Sequence, residues 1–322
     1  MPVKRPVLIT AGGTGGHVYP GLAVARALMA QDIPVIWMGT HAGLEAKVIP
    51  EAGIEMAWLT VTGLRGKGWK TLLAAPFKLT LALFQSVQIM LKHKPAAVLG
   101  MGGFVAGPGG LVAALMGKPV VIHEQNAVPG LTNKLLAKVS KRVLEGFPGT
   151  FPAAEKVVAT GNPVRLDIAD LPMPLERLAD RDDEPVHVLV IGGSLGAAAL
   201  NEMVPQALAK LPKNNRPRVR HQAGARNIEA AQQQYTQSAV EAEVTAFIVD
   251  MAEAYGWADL IICRSGALTV AEVAAAGVAA ILVPYPYAVD DHQTANGAYL
   301  AENGAARLVQ QRHLSVEKLA AM

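Results

Sequence analysis

One pattern constrains this chain more than any other, and it occurs twice. Val7-Leu-Ile-Thr runs into Ala11-Gly-Gly-Thr-Gly-Gly16, and Val186-His-Val-Leu-Val-Ile191 runs into Gly192-Gly-Ser-Leu-Gly-Ala197. Each is a short apolar run closed by a glycine loop and followed by helical spacing. Such a run predicts a strand buried on both faces, and its repetition predicts parallel sheets covered by helices. Residues 6–11, 34–39, 96–100 and 119–123 read as strands of the first half, with a helix over 18–29. Strands over 186–191, 218–221, 244–249, 259–263 and 279–284, with a helix over 267–276, make the second. Between them, residues 167–185 are rich in proline and charge and lack periodicity, which reads as a linker region. The expected fold is α/β: two Rossmann-like, doubly wound parallel-sheet domains, 1–163 and 164–322, facing across a cleft. A chain of 322 residues is long enough for two cores. In such sheets ligands sit beyond the carboxyl ends of the strands.

Charge divides along the same boundary. Residues 1–163 hold 16 Lys+Arg against 7 Asp+Glu, a net +9, and the remainder holds 13 against 19, a net −6. A basic half suits an anionic ligand or surface. The single cysteine, Cys263, excludes a disulfide framework. The N-terminus runs straight into a strand without a signal-peptide pattern. Residues 95–117 are uncharged but contain seven glycines and Pro108, which favours strand, glycine loop and helix over a membrane span. A soluble protein without a transmembrane segment is expected.

A glycine loop between strand and helix exposes backbone N–H groups at a positive helix end, which binds phosphate. A dinucleotide fold also wants an acid about 20 residues further on for the ribose. The second strands here end Trp37-Met-Gly-Thr-His41 and Val219-Arg-His-Gln-Ala-Gly224, with no acid in either. A P-loop motif is absent too. Asp180-Arg-Asp182 has the form of a metal-binding pair, but it lies in the charged linker and reads as a solvated run. Asp290-Asp291-His292 makes a poor metal cage, so no metal is expected.

Eight motifs, in this order and spacing, carry a specific resemblance. They are Gly12-Gly-Thr-Gly-Gly-His17, Gly63-Leu-Arg-Gly-Lys-Gly68, Gly100-Met-Gly-Gly-Phe104 with Gly107-Pro-Gly109, and His123-Glu-Gln-Asn126. Gly161-Asn-Pro-Val-Arg165, Gly192-Gly-Ser194, Arg264-Ser-Gly-Ala-Leu-Thr-Val-Ala-Glu272 and Asp291-His-Gln-Thr294 complete them. Together they resemble the MurG family, the undecaprenyl-diphospho-muramoylpentapeptide β-N-acetylglucosaminyltransferases of glycosyltransferase family 28. The resemblance implies a GT-B fold and inverting transfer of N-acetylglucosamine (GlcNAc) from UDP-GlcNAc to the C4 hydroxyl of lipid I, which gives lipid II. It implies no required cofactor and no nucleic-acid partner.

On that resemblance the C-terminal half takes the donor. Ala267, Leu268, Thr269, Val270 and Ala271 open a helix whose free N–H groups suit the UDP diphosphate, and Glu272 suits the ribose hydroxyls, with an exposed helix acid as its alternative. Ser194 is placed for a phosphate, or serves only as a helix cap. Ile248 matches a uracil-contacting position, with plain strand core as the alternative. Gln293 matches a residue that holds the GlcNAc hydroxyls. Thr14, Gly15, Gly16, Asn126 and Arg165 also match donor-site positions. In the basic half, the loops 12–16 and 102–103, with Gly13, Gly102 and Gly103, are expected to cradle the lipid diphosphate. His17 is the candidate general base, because its ordinary pKa suits proton transfer near neutrality. Its alternatives are helix capping or phosphate contact. Glu124 is the rival base, with orientation of Asn126 as its alternative.

Residues 63–94 mix lysine and arginine with apolar side chains, and no charge-free run there is long enough to span a bilayer. Trp69, Lys70, Leu72, Leu73 and Phe77 are assigned to an anionic lipid surface, while Leu83, Val87 and Met90 are assigned to core. The expected location is the cytoplasmic face of the bacterial inner membrane, as a peripheral protein, with other cell-wall synthesis proteins as partners. Two departures from the family pattern stand out. The chain stops at Met322, where relatives usually continue with a helical region, which implies a truncated chain with reduced activity or closure. Leu195 stands where many relatives carry Gln. The rival readings are another UDP-sugar enzyme, such as an epimerase or a natural-product glycosyltransferase, and a non-catalytic sugar-nucleotide-binding scaffold.

Overall fold

The computed structural model describes residues 4–60, 75–179, 181, 184–193 and 196–322. The chain divides into two compact units, Met1–Pro163 and Val164–Met322. In the first, seven strands form one sheet: β1 (Val7–Ala11), β2 (Val35–Thr40), β3 (Glu55–Leu59), β4 (Ala97–Gly102), β5 (Val120–Glu124), β6 (Arg142–Glu145) and β7 (Val157–Ala159). Their order is β3-β2-β1-β4-β5-β6-β7, and every pairing is parallel. The order reverses direction between β1 and β4, so the loops after these strands diverge there and leave a crevice.

The alternation of side chains along each strand builds two cores. Leu8, Met38, Val98 and Ile122 point to one face, covered by the helices Ala75–His93, Ala106–Leu115 and Leu131–Val139. Ile9, Trp37, Leu99 and Met101 point to the other, under the helix Gly15–Met29. Leu83, Val87 and Met90 pack into the first of these cores.

The second unit repeats the plan with β8 (His187–Ile191), β9 (Arg218–Gln222), β10 (Glu243–Thr245), β11 (Leu260–Cys263), β12 (Ala279–Leu282) and β13 (Ala306–Leu308). Their order is β10-β9-β8-β11-β12-β13, again all parallel. The switch lies between β8 and β11.

The structure corrects two sequence expectations. Residues 244–249 form a strand only as far as Thr245. β10 is an edge strand paired with β9 alone, and Ala223 N donates to Thr245 O at 2.9 Å as the last bond of that ladder. The β9 chain turns away at Gly224, so Ile248 lies in a loop and is not strand core. The supposed linker contains two short helices, Leu166–Ala169 and Pro174–Arg177. Tertiary contacts hold these two helices where periodicity is lacking. Ile168 is buried, and the Arg177 guanidinium donates to the carbonyls of Pro172, Tyr255, Gly256 and Ala276. The short strands β3, β6, β7 and β13 were not anticipated.

A buried carboxylate shapes the end of the first sheet where the glycine loops lie. Glu45 is wholly buried. Its Oε1 accepts from Thr40 N at 3.1 Å and Thr40 Oγ1 at 2.9 Å, and its Oε2 accepts from Gly13 N at 3.0 Å. A Cβ at Gly12, Gly39 or Gly43 would stand 2.6, 2.7 or 2.0 Å from the Glu45 side chain, so three glycines make room for it. Removing the carboxylate leaves three donors without their acceptor, each a bond to a charged group. Glu45→Ala is expected to destabilise the unit by about 3 kcal/mol. The check is the denaturant midpoint; a shift worth less than about 1 kcal/mol would show that the clamp is not structural.

Candidate functional site

The first cluster of expected site residues forms where β1, β4 and β5 end side by side. The helix Gly15–Met29 starts after Thr14, which is extended and gives no side-chain cap. The first helical amides have no intrahelical acceptor, so those of Gly15 and Gly16 are free to meet an anion. Gly13 differs: its N–H is already donated to Glu45, so it shapes the turn and offers no amide to a phosphate. Gly102 (φ 99°) and Gly103 (φ 78°) need the left-handed region, and a Cβ on Gly103 would stand 2.4 Å from Gly12 O. The two glycine loops therefore lie backbone against backbone.

His17 lies within this cluster. Its ring packs on Gly102, where a Cβ would stand 2.8 Å from His17 Cε1 and Nδ1. His17 Nδ1 is 2.9 Å from Gln125 Oε1. Glu124, the rival base, is buried, and its oxygens have four donors. Oε1 accepts from Asn126 N at 3.0 Å and Asn126 Nδ2 at 3.3 Å. Oε2 accepts from Gly130 N at 3.1 Å and Asn133 Nδ2 at 2.9 Å. A carboxylate so engaged and shielded orients the Asn126 loop, and its geometry does not suit proton abstraction.

The second cluster stands at the end of β11. The helix Ala267–Ala276 begins at Gly266, which is extended and gives no side-chain cap, and ends at Gly277 in the left-handed region (φ 62°). Val270 N is the first amide to reach back, to Gly266 O at 2.9 Å. The amides of Ala267, Leu268 and Thr269 thus lack intrahelical partners. Ala267 and Val270 are buried; Leu268, Thr269, Ala271 and Glu272 are half-buried on the other side.

Glu272 Oε1 is 3.4 Å from Arg165 Nε, and Oε2 accepts from Tyr255 Oη at 3.1 Å. Burial raises the Glu272 pKa above the usual carboxylate range, and Arg165 opposes the rise. Burial and the Glu272 charge push the Tyr255 hydroxyl well up. They also push the Cys263 thiol to about 12, which makes it inert.

Gln293 sits in the first turn of the helix His292–Glu302. Its Oε1 accepts from Tyr285 N at 2.9 Å, and among the described residues its NH2 group has no hydrogen-bond partner and can meet a ligand. One turn on, Asn296 Nδ2 donates to Ser265 O at 3.3 Å. This bond ties the helix carrying Gln293 to the turn that opens the helix Ala267–Ala276. Arg264 bolts the same region by donating to Val283 O, Pro284 O and Gln311 Oε1 at 3.1, 3.2 and 2.7 Å.

The structure therefore brings Arg165, Glu272 and the helix N-terminus together with Gln293 in the second unit. It gathers Thr14, Gly15, Gly16, His17, Gly102, Gly103, Glu124 and Asn126 in the first. Ile248 is half-buried in the loop after β10. Ser194, Leu195, Trp69, Lys70, Leu72 and Leu73, the 63–68 motif, and Asp180 and Asp182 lie outside the described residues. Phe77 is described and is 75% exposed. Among the described residues no group of three His, Cys, Asp or Glu could hold a metal ion, and no helix is long and apolar enough to cross a membrane. Sequence reasoning missed Glu45, Gln125 and Tyr255. The signal for Glu45 was the set of glycines at 12, 39 and 43, which only a contact map joins. Gln125 stood inside a quoted motif without a task.

Comparison with known proteins follows the same two units. Residues 7–145 match the glycosyltransferase family 28 N-terminal domain, and residues 187–322 match the glycosyltransferase family 28 C-terminal domain. A relative from Paraburkholderia xenovorans is 54% identical over 321 residues, covering 98% of this chain and 85% of its own length. One from Nitrosococcus oceani is 55% identical over 314 residues, covering 98% and 87%. Both are named UDP-N-acetylglucosamine–N-acetylmuramyl-(pentapeptide) pyrophosphoryl-undecaprenol N-acetylglucosamine transferases. The crystal structure of Acinetobacter baumannii MurG superposes with a TM-score of 0.86 at 47% identity, over 98% of this chain and 89% of that one. The chain has the GT-B fold class and belongs to glycosyltransferase family 28, and within it to the MurG family.

Proposed function

We propose that this chain transfers GlcNAc from UDP-GlcNAc to the C4 hydroxyl of the muramoyl sugar of lipid I, with inversion at the anomeric carbon, and so makes lipid II. The observation that carries the reading is 54% identity, over 98% of the chain, to a curated N-acetylglucosamine transferase of lipid-linked muramoyl pentapeptide. The geometry supports a division of labour between the units.

The C-terminal unit, residues 164–322, takes the donor. The free amides of Ala267, Leu268 and Thr269 suit the UDP diphosphate. Glu272 suits the two ribose hydroxyls, and Arg165 and Tyr255 hold its carboxylate in place. The Gln293 amide suits the GlcNAc hydroxyls, and Ile248 suits the uracil. Ser194 is assigned to a phosphate by its motif alone.

The N-terminal unit, residues 1–163, takes the acceptor. Gly15 and Gly16 offer amides, and Gly102 and Gly103 allow close approach to the lipid diphosphate. Asn126 stands at the edge of the same cluster. An inverting transfer needs a base on the acceptor hydroxyl while the leaving diphosphate is stabilised on the other side. His17 takes the base role because it is half-exposed and, among the described residues, hydrogen-bonded on one ring nitrogen only, whereas Glu124 is saturated.

A surface for lipid supports the acceptor assignment. The helices Ala75–His93, Ala106–Leu115 and Leu131–Val139 contain no Asp or Glu. They leave Phe77, Phe84, Leu115, Leu131 and Leu135 exposed beside Lys92, Lys134 and Lys138. Apolar side chains flanked by lysine suit an anionic bilayer surface, which for this substrate is the cytoplasmic face of the inner membrane.

His17→Ala is expected to lower kcat about 10²-fold or more while donor binding is kept. Steady-state kinetics with a UDP-GlcNAc titration checks this, and near-wild-type turnover would remove His17 from the base role. Replacing Phe77 and Phe84 together by Ser is expected to reduce co-flotation with anionic liposomes at least threefold. Unchanged flotation would detach the membrane reading from this surface.

A further inference from the structure

Gln125, in the loop after β5, has no task in the donor and acceptor scheme above. It is fully buried, and both ends of its amide are engaged. Its Nε2 donates to the His123 carbonyl at 3.1 Å and lies 3.1 Å from His123 Nδ1. Its Oε1 lies 2.9 Å from His17 Nδ1. A carbonyl can only accept, so the bond to His123 O fixes which end of the amide is NH2. The oxygen end must then face His17, and an acceptor there requires a proton on His17 Nδ1.

The far end of the chain of contacts closes in the same way. His123 Nε2 lies 3.0 Å from the Gly161 carbonyl, so it carries the proton and leaves Nδ1 bare to accept from Gln125. Burial lowers the His123 pKa, in keeping with a neutral ring. The backbone of Gln125 is pinned by Asn162 Nδ2, which donates to its carbonyl at 2.9 Å. Two backbone carbonyls therefore dictate, through one side-chain amide, where the proton of His17 resides.

We propose that Gln125 is a positioning residue for the transfer: it holds the proton of neutral His17 on Nδ1 and so keeps Nε2 bare for the acceptor hydroxyl. The inference rests on the reading of His17 as base. In the step, His17 Nε2 takes the C4 hydroxyl proton as the C4 oxygen bonds to the anomeric carbon. The bond from that carbon to the phosphate oxygen breaks, and its electron pair leaves with UDP. Without the Gln125 acceptor the proton can sit on Nε2, which is then a donor and cannot act as a base.

The titratable groups placed against the cluster include Tyr19, whose ring lies against Gly15, together with His123, Glu124 and Glu45. Glu124 is turned to Asn126, Gly130 and Asn133, and Glu45 to Gly13 and Thr40. Among the described residues, none of their hydrogen bonds reaches the His17 ring.

NMR of the full chain with 15N-labelled histidine reads the tautomer directly. The expected result is a His17 proton on Nδ1 in the wild type and a shift toward Nε2–H in Gln125→Ala. The same variant should lower kcat about 10²-fold with KM for UDP-GlcNAc changed by less than about twofold. Gln125→Glu keeps an acceptor against Nδ1–H, so it should recover most of that loss. Its negative charge favours the imidazolium and should move the acid limb of the kcat–pH profile to higher pH. A wild-type proton on Nε2 would overturn the proposal, as would a Gln125→Glu enzyme as slow as Gln125→Ala with its acid limb unmoved. Failure of the base reading looks different: His17→Ala would keep its turnover while NMR still placed the proton on Nδ1, and the catalytic role of Gln125 would fall with it.

Discussion

A loop that binds phosphate through its backbone works only if that backbone comes close and stays in place. In the N-terminal unit this closeness rests on the buried Glu45 carboxylate. It accepts from Gly13 and Thr40, and side chains are excluded from positions 12, 39 and 43 to make room for it. The glycine loop after β1 is thereby held against the loop after β4, where Gly103 approaches Gly12 O too closely for any Cβ. His17 follows at the first turn of the helix, clamped between Gly102 and Gln125. The amides of Gly15 and Gly16 and the His17 ring are set by one local geometry, so a loss at Glu45 should reach both.

The C-terminal unit solves a related problem with different parts. It lacks an acid at the end of its second strand, and in the proposed donor site Glu272, inside the helix after β11, stands in for one. Burial makes a carboxylate there unfavourable, and Arg165 and Tyr255 offset that cost by binding it. The fixed helix end and the fixed acid lie on one rigid element, while Asn296 ties the helix bearing Gln293 to its opening turn. In the proposed donor scheme, diphosphate, ribose and sugar contacts are all referred to the end of β11.

Much of this was legible in the sequence wherever the cause was local. The strand and glycine loop of β1 and β8 and the helix Ala267–Ala276 follow from apolar runs, glycine punctuation and spacing within a few residues. What was not legible depends on contacts between residues far apart in sequence. Residues 244–249 looked like a full strand, but an edge strand lasts only as long as its neighbour, and β9 turns away after Gln222. The stretch 167–185 reads as a linker because the helix Pro174–Arg177 within it is held by Arg177 reaching carbonyls some 80–100 positions away. Glu124 and Gln125 are adjacent letters in one motif. Only the fold shows that the acid is saturated and that the amide touches His17.

Product analysis from UDP-GlcNAc, with and without lipid I, reads directly whether this chain moves GlcNAc from a UDP donor to a lipid-linked acceptor. UDP release and a β-linked GlcNAc on the muramoyl sugar are expected only when lipid I is present. An epimerised UDP-sugar formed without lipid I, or donor binding with no UDP release in its presence, would contradict that expectation.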